Sequence, residues 1–226
     1  MKYSEIFYSL QGEGIFVGMP SVFFRTSYCN LRCGWCDTPY TSWQPENKEI
    51  TVDEVITGVN KFNVKHIVIT GGEPCIQAAH LVELCQKLHD QKHHLTVETN
   101  GTAFVAIKAD LISLSPKLAN STPDNDRIWT VRHEQERINL AALRQFLDTY
   151  DCQIKFVVDT PQDLTEIEKL VEQLNIPSCL VILMPQGITE ERIKQKQSWL
   201  AEMCKKYGYR YSPRLHINIW GERRGI

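Results

Sequence analysis

An open, partial barrel of parallel strands and covering helices is the α/β fold this sequence predicts, with about six to seven strands. Three observations carry the expectation. Short apolar runs alternate with helical patterns along the chain. Several of those runs are nearly continuous in Val, Ile and Leu, as parallel strands covered on both faces require. The 226 residues also fall short of a closed eight-fold barrel, for which about 250 are typical.

The strands are expected at 21–26, 66–70, 94–99, 110–115, 153–159, 179–184 and 215–220. Between them, Thr51-x-x-Glu54 reads as a capping box, with Ile50 and Val55 spaced for a hydrophobic staple. Thr160 is placed to cap a helix that has Pro161 at its first position, where the missing N–H costs nothing. Further helices are expected at 77–91, 139–150 and 189–206. No linker or repeat divides the chain, so residues 1–226 read as one domain. The polar segment at about 120–137 reads as an insertion or lid-like loop.

Composition excludes several classes. With 42% hydrophobic and 23% charged residues, collagen-like, low-complexity and largely disordered chains are ruled out. The 25 Lys and Arg against 27 Asp and Glu give a net charge of −2, which removes the electrostatic argument for nucleic-acid or membrane-surface binding. No stretch approaches the roughly 18 to 20 apolar residues of a membrane helix, and the first residues lack a signal-peptide pattern. A cytoplasmic protein without a membrane or direct nucleic-acid partner is expected. In that reducing compartment the eight cysteines are metal ligands, catalytic thiols or buried thiols rather than disulfides.

The unusual motifs each begin where an apolar run ends: Cys29-Asn-Leu-Arg-Cys-Gly-Trp-Cys36, Thr70-Gly-Gly-Glu-Pro74, Glu98-Thr-Asn-Gly101, Ser115-Pro-Lys117 and Met184-Pro-Gln-Gly187. Parallel α/β folds bind ligands at the carboxyl ends of their strands. Five motifs on one rim therefore imply one large site. Cys29, Cys33 and Cys36 follow the spacing C-x3-C-x2-C. Thiolates so close together suit zinc or an iron–sulfur cluster. Structural zinc wants four protein ligands, and no fourth Cys or His lies near in sequence. A [4Fe–4S] cluster on three cysteines would leave one iron open.

The cysteine motif, the rim pattern and Gly-Gly-Glu-Pro together resemble the radical S-adenosylmethionine (SAM) superfamily. Adding Ser9-Leu-Gln-Gly-Glu-Gly14, Arg25, Trp-Cys-Asp-Thr38 and Glu-Thr-Asn-Gly-Thr, the chain is similar to the 7-carboxy-7-deazaguanine synthase family. The resemblance runs by motif from Ser9 through Lys117 and more loosely to the end. It implies a truncated radical SAM barrel in which Cys29, Cys33 and Cys36 hold a [4Fe–4S] cluster whose open iron binds SAM. One electron then cleaves SAM to a 5′-deoxyadenosyl radical. The reaction implied is a carbon–nitrogen lyase step: 6-carboxy-5,6,7,8-tetrahydropterin becomes 7-carboxy-7-deazaguanine with loss of ammonia, on the route to 7-deazapurines such as queuosine. Mg2+, a homodimer and an electron donor such as flavodoxin also follow from the resemblance.

Carried over by residue, the resemblance makes Leu10, Gln11, Gly12, Glu13, Arg25 and Thr70 substrate contacts, with Ile226 where the chain's end folds back. Arg25 suits a carboxylate, because a guanidinium presents a planar fork. Thr38 would ligate magnesium, a hard cation that prefers oxygen. Trp35, Cys36, Asp37, Gly72, Ser115, Pro116, Lys117, Met184, Pro185, Gln186 and Gly187 would surround SAM. No catalytic side chain is implied, since the radical arises on SAM. Blander readings stand beside these: Gln-Gly-Glu-Gly as a turn, Arg25 and Glu98 as structural ion-pair members, and Ser115-Pro-Lys117 as a strand end. Cys75, Cys85, Cys152, Cys179 and Cys204 read as small buried hydrophobes, and His216 as an ordinary strand histidine. Two other functions share the cysteine motif, a glycyl-radical activase and an iron–sulfur electron carrier. The activase does not account for Gln-Gly-Glu-Gly with Arg25, and the electron carrier predicts a cluster whose spectrum does not respond to SAM.

Overall fold

The computed structural model describes residues 1–226. In chain order its main elements are β1 (Lys2–Leu10), β2 (Pro20–Thr26), β3 (Lys48–Glu49), α1 (Val52–Val59), β4 (His66–Gly71), α2 (Ala78–Asp90), β5 (His94–Thr99) and β6 (Leu111–Leu114). There follow α3 (Arg127–Glu136), α4 (Leu140–Thr149), β7 (Cys152–Val158), α5 (Asp163–Leu174), β8 (Val181–Pro185), α6 (Glu190–Tyr207), β9 (Arg210–Tyr211) and α7 (Leu215–Trp220). One nine-stranded sheet runs β3-β1-β2-β4-β5-β6-β7-β8-β9 and does not close. From β2 to β9 every pairing is parallel. β1 and β3 add an antiparallel margin that the expected six to seven strands did not include.

Alternation along the strands builds two different faces. Val22, Phe24, Ile67, Ile69, Leu95, Val97, Ile112, Leu114, Ile154, Phe156, Val181 and Leu183 point outward into a continuous apolar core. The helices cover it with Val55, Leu84, Leu88, Phe146, Ile167 and Leu200. The intervening residues face the barrel interior, where strand periodicity puts every second side chain. That interior mixes polar side chains such as Ser21, His66, Thr96, Glu98 and Lys155 with apolar ones such as Phe23, Val157 and Met184, unlike the two wholly apolar faces expected from the continuous runs. Near its lower end Ser21, His66 and His94 share one row of the register. His66 bonds the hydroxyls of Ser21 (2.7 Å) and Thr96 (2.9 Å), and Phe16 packs edge-on against both imidazoles.

Four local expectations change. The segment 215–220 is helical rather than a strand. Its alternating apolar pattern is outweighed by backbone bonds from Ile217 and Asn218 to the Arg214 carbonyl, and from Leu215 to that of Gly12. Helix α5 starts at Asp163 rather than just after Thr160, because the Asp163 carboxylate accepts the N–H groups of Asp159 and Thr160 and ends the turn first. Cys179 is exposed, whereas Cys75, Cys85, Cys152 and Cys204 are buried. The Thr51 capping box forms with both reciprocal bonds. Within 120–137 the chain forms α3 instead of a loop, capped by Asp126.

Candidate active site

A cavity of about 400 Å³ opens at the carboxyl ends of the strands, within the usual range for small-molecule sites. The inward residues Phe23, Arg25, Thr70, Glu98, Ser115, Lys155, Val157 and Met184 line it. So do Cys29, Cys33 and Cys36 from the loop after β2, and residues 221–226 from the chain's end.

Two glycines allow the approach of neighbouring segments. A Cβ on Gly72 would lie 2.1 Å from the Tyr28 carbonyl oxygen and 2.8 Å from that of Thr41, so only glycine lets the β4 end pack against the cysteine loop. A Cβ on Gly12 would lie 2.0 Å from Nδ1 of His216. Beside Gly72, the Glu73 carboxylate is fully buried and accepts from Thr99 Oγ1 (2.7 Å), the Asn100 N–H (2.7 Å) and the Cys75 N–H (3.0 Å). This ties the ends of β4 and β5 together. Burial pushes the Glu73 carboxyl up, against the pull of those donors.

The cysteine loop is held from two sides. Asn100 donates to Asn30 Oδ1 (3.0 Å) and reaches Cys29 Sγ at 4.0 Å, while the Leu31 N–H points at the same sulfur (3.4 Å). Ser42 Oγ lies 3.2 Å from Cys36 Sγ. From the other side, buried His133 of α3 accepts the Arg32 N–H (3.3 Å), the Arg32 guanidinium stacks on Trp129 (4.3 Å), and Trp35 Nε1 donates to the Asn120 carbonyl (2.8 Å). Burial lowers His133 to about 4, so its imidazole is neutral and free to accept. The segment 120–137 thus buttresses the cysteine loop.

Cys29, Cys33 and Cys36 line one cavity together, and three soft sulfur donors on one short loop are a ligand set of the kind that iron–sulfur clusters take. Burial pushes Cys29 and Cys33 up to about 12 each, with Glu73 adding to the rise at Cys29, and raises Cys36 as well. A centre bound there must supply the positive charge that stabilises three thiolates.

Opposite the thiols lies a buried ionic network that the sequence reading missed. Glu13 accepts from Lys155 Nζ through Oε2 and from Arg214 Nε through Oε1 (3.1 Å). Arg214 also pairs with Asp37 and donates to the Gly187 carbonyl (2.6 Å). Burial alone would raise the Glu13 carboxyl, but Lys155, Arg214 and His216 hold it far below the usual carboxylate range. Burial likewise pulls Lys155 down, and Glu13 and Glu98 reverse this, so the ammonium is retained. Burial lowers His216, whose imidazole lies against Gly12. Lys155 occupies an inward strand position, and that alternation is the one signal that could have found it. Arg214 gave none.

Of the residues expected to contact substrate, Leu10, Gln11, Gly12, Glu13, Arg25, Thr70 and Ile226 all line the cavity. Glu98 accepts from Gln11 Nε2 (3.1 Å) and Thr70 Oγ1 (2.8 Å), joining two of them. Trp35, Cys36, Asp37, Thr38, Gly72, Ser115, Lys117 and Met184 line it as well. Pro116, Pro185, Gln186 and Gly187 do not. Gln186 instead receives Lys196 Nζ (2.9 Å), and the Gly187 carbonyl is taken by Arg214.

An open β/α barrel with three thiols at its carboxyl rim defines a class, and the radical SAM superfamily pattern matches residues 23–200. A 7-carboxy-7-deazaguanine synthase of Halobacterium salinarum is 43% identical, the alignment covering 98% of this chain and 91% of that protein. The synthase of that name from Rhodopirellula baltica is 45% identical over 98% and 87%. The crystal structure of QueE from Escherichia coli superposes with a TM-score of 0.71 at 25% identity, covering 95% of this chain and 93% of that one. SuiB of Streptococcus suis, at 12% identity and a TM-score of 0.55, shares the fold over 84% of this chain and 49% of its own. The chain belongs to the radical SAM superfamily and, within it, to the 7-carboxy-7-deazaguanine synthase family. A [4Fe–4S] cluster and SAM are the cofactors of that class. No helix is long and apolar enough to cross a membrane.

Proposed function

We propose that this chain is a radical SAM carbon–nitrogen lyase that converts 6-carboxy-5,6,7,8-tetrahydropterin to 7-carboxy-7-deazaguanine, releasing ammonia, in 7-deazapurine (queuosine) biosynthesis. One observation carries the reading. Three thiols and a polar set suited to a carboxylated pterin (Gln11, Arg25, Thr70 and Glu98) line one and the same cavity.

Cys29, Cys33 and Cys36 would hold the cluster, and the chemistry it would supply when bound is the one-electron reduction that cleaves SAM. The protein's own part is binding and orientation. The Gly71–Gly72 backbone, with Trp35, Asp37, Ser115, Lys117 and Met184, forms the wall against which SAM lies. Lys117 Nζ, held by the Ser115 hydroxyl and carbonyl (2.8 Å each), is fixed for an anionic group. Thr38 offers a hydroxyl oxygen to Mg2+ beside the cysteine loop.

Arg25 is set for a carboxylate. Its Nε is taken by Glu5 Oε1 (2.8 Å), which turns the other edge of the fork to the cavity. Gln11, Thr70 and Glu98 present alternating donors and acceptors to a pterin edge. Lys155 is the buried ammonium closest in character to what a departing amine needs, a proton at Nζ held in place by Glu13. Residues 221–226 add the chain's end to the lining of the cavity. A homodimer and a flavodoxin-like electron donor belong to the same reading.

The test separates substrate use from SAM cleavage. Arg25→Ala should raise KM for the carboxypterin strongly while reductive formation of 5′-deoxyadenosine persists. Loss of both together would contradict the role given to Arg25.

A further inference from the structure

Residues 221–226 are attached to the rest of the molecule chiefly through Arg224. Its guanidinium donates to Glu46 Oε1 (2.7 Å) and Oε2 (2.8 Å), to Ser4 Oγ (2.8 Å) and to Glu5 Oε2 (3.2 Å), and it lies 4.0 Å from the centre of the Tyr40 ring. Four side chains from three separate stretches of chain thus converge on one guanidinium. The bond to Arg224 is the leading cause that holds the Glu46 carboxyl down at about 2.

Glu5 is the link inward. Its Oε1 accepts from Arg25 Nε (2.8 Å) and from the Tyr40 hydroxyl (3.1 Å), which leaves Oε2 for Arg224. Glu5 is mostly buried, at 14% side-chain exposure. With both oxygens shared in this way, the carboxylate meets Arg25 through Nε alone. Take Arg224 away and Oε2 has no cation beside it except Arg25. A carboxylate and a guanidinium then pair through two parallel bonds, the geometry both groups favour, and Arg25 turns its fork away from the cavity.

We infer that Arg224 is a positioning residue: it latches residues 221–226 into the cavity lining and, through Glu5, keeps the Arg25 fork directed at the substrate carboxylate. The inference rests on the proposed function for the identity of that carboxylate. The latch itself does not. Seating of that segment and readiness of the anion site are therefore one event, because the same guanidinium serves both.

Two variants separate the two halves. Arg224→Gln removes the charge and both links. Glu46→Gln weakens the outer anchor but leaves Arg224 on Glu5. Hydrogen–deuterium exchange of 221–226 in the reconstituted enzyme reads the latch, and steady-state kinetics with 6-carboxytetrahydropterin reads the positioning. In Arg224→Gln the segment should exchange faster, and KM should rise about five- to tenfold with kcat little changed, the sign of lost ground-state binding. In Glu46→Gln exchange should quicken with a smaller rise in KM. Unchanged exchange in Arg224→Gln overturns the latch, and faster exchange with an unchanged KM overturns the coupling to Arg25. Should the wild-type enzyme fail to turn over the pterin, the proposed substrate falls, while the exchange result still decides the latch.

Discussion

Lys155→Met is the perturbation that tests the buried network most sharply. The side chain of Lys155 is 6% exposed, that of Arg214 7% and that of Glu13 14%. Methionine keeps the length of the chain and removes the ammonium, leaving Glu13 and Asp37 to share Arg214. Breaking a buried pair by deleting one partner typically costs about 3–5 kcal/mol. Arg214 stays on Glu13 Oε1 at 3.1 Å, so the lower end, about 3 kcal/mol, applies. For a chain of this length each kcal/mol is worth about 2–4 °C in Tm, giving a loss of roughly 6–12 °C.

The pH dependence should move with it. Glu13 has a depressed carboxyl, so its contribution is full above the ordinary value of 4.5 and is lost as pH falls toward the folded value. Without Lys155 that loss begins at higher pH. Adding Glu13→Gln to Lys155→Met removes the unpaired charge and should restore part of the stability, a coupling of about 2 kcal/mol in the double-mutant cycle. Urea unfolding followed by tryptophan fluorescence measures all four corners. A cost below about 1 kcal/mol for Lys155→Met, or strict additivity of the two changes, would refute the network as described.

Two further outcomes follow from the same structure. Gly72→Ala places a methyl group 2.1 Å from the Tyr28 carbonyl oxygen, so the cysteine loop must shift and iron incorporation should fall; a variant that takes up a full cluster, by iron assay and absorbance, would show the contact to be dispensable. His66 is lowered to about 4 from 6.5 by burial, then by His94; the unfolded chain takes up the proton first, so stability should drop by about 2 kcal/mol between pH 7 and pH 5. His66→Asn should flatten that slope, and a variant that keeps the wild-type slope would assign it to another group.

What the sequence could reveal depended on which way a side chain faces. The outward positions of β2 and β4 to β8 are mostly Val, Ile, Leu and Phe, and the apolar runs they anchor marked these strands and, at their ends, the rim of motifs. The same strands hid Lys155, because a charged residue at one inward position barely interrupts Gln-Ile-Lys-Phe-Val-Val. Inward positions here form a cavity of mixed polar and apolar lining rather than a second core, so hydropathy carries little information about them. β1 was missed because it mixes polar and aromatic residues along an antiparallel margin with an irregular register between Tyr3 and Glu5. Helix α7 was misread for a different reason. Leu215, Ile217 and Ile219 alternate like a strand, but Ile219 is left exposed in the fold, and what decides the conformation is the distant Gly12 carbonyl that receives the Leu215 N–H (2.9 Å). Arg214 and the Arg224 anchor depend on partners about 170 to 220 residues away in sequence, which no local pattern encodes.

The central claim is tested most directly by an anaerobic assay of the enzyme after cluster reconstitution. SAM, a low-potential reductant, Mg2+ and 6-carboxy-5,6,7,8-tetrahydropterin are supplied, and the products are read by mass spectrometry. The account predicts 7-carboxy-7-deazaguanine and ammonia, with SAM not consumed in proportion to product. Formation of 5′-deoxyadenosine without the deazaguanine would contradict the proposed substrate and leave only the superfamily chemistry standing.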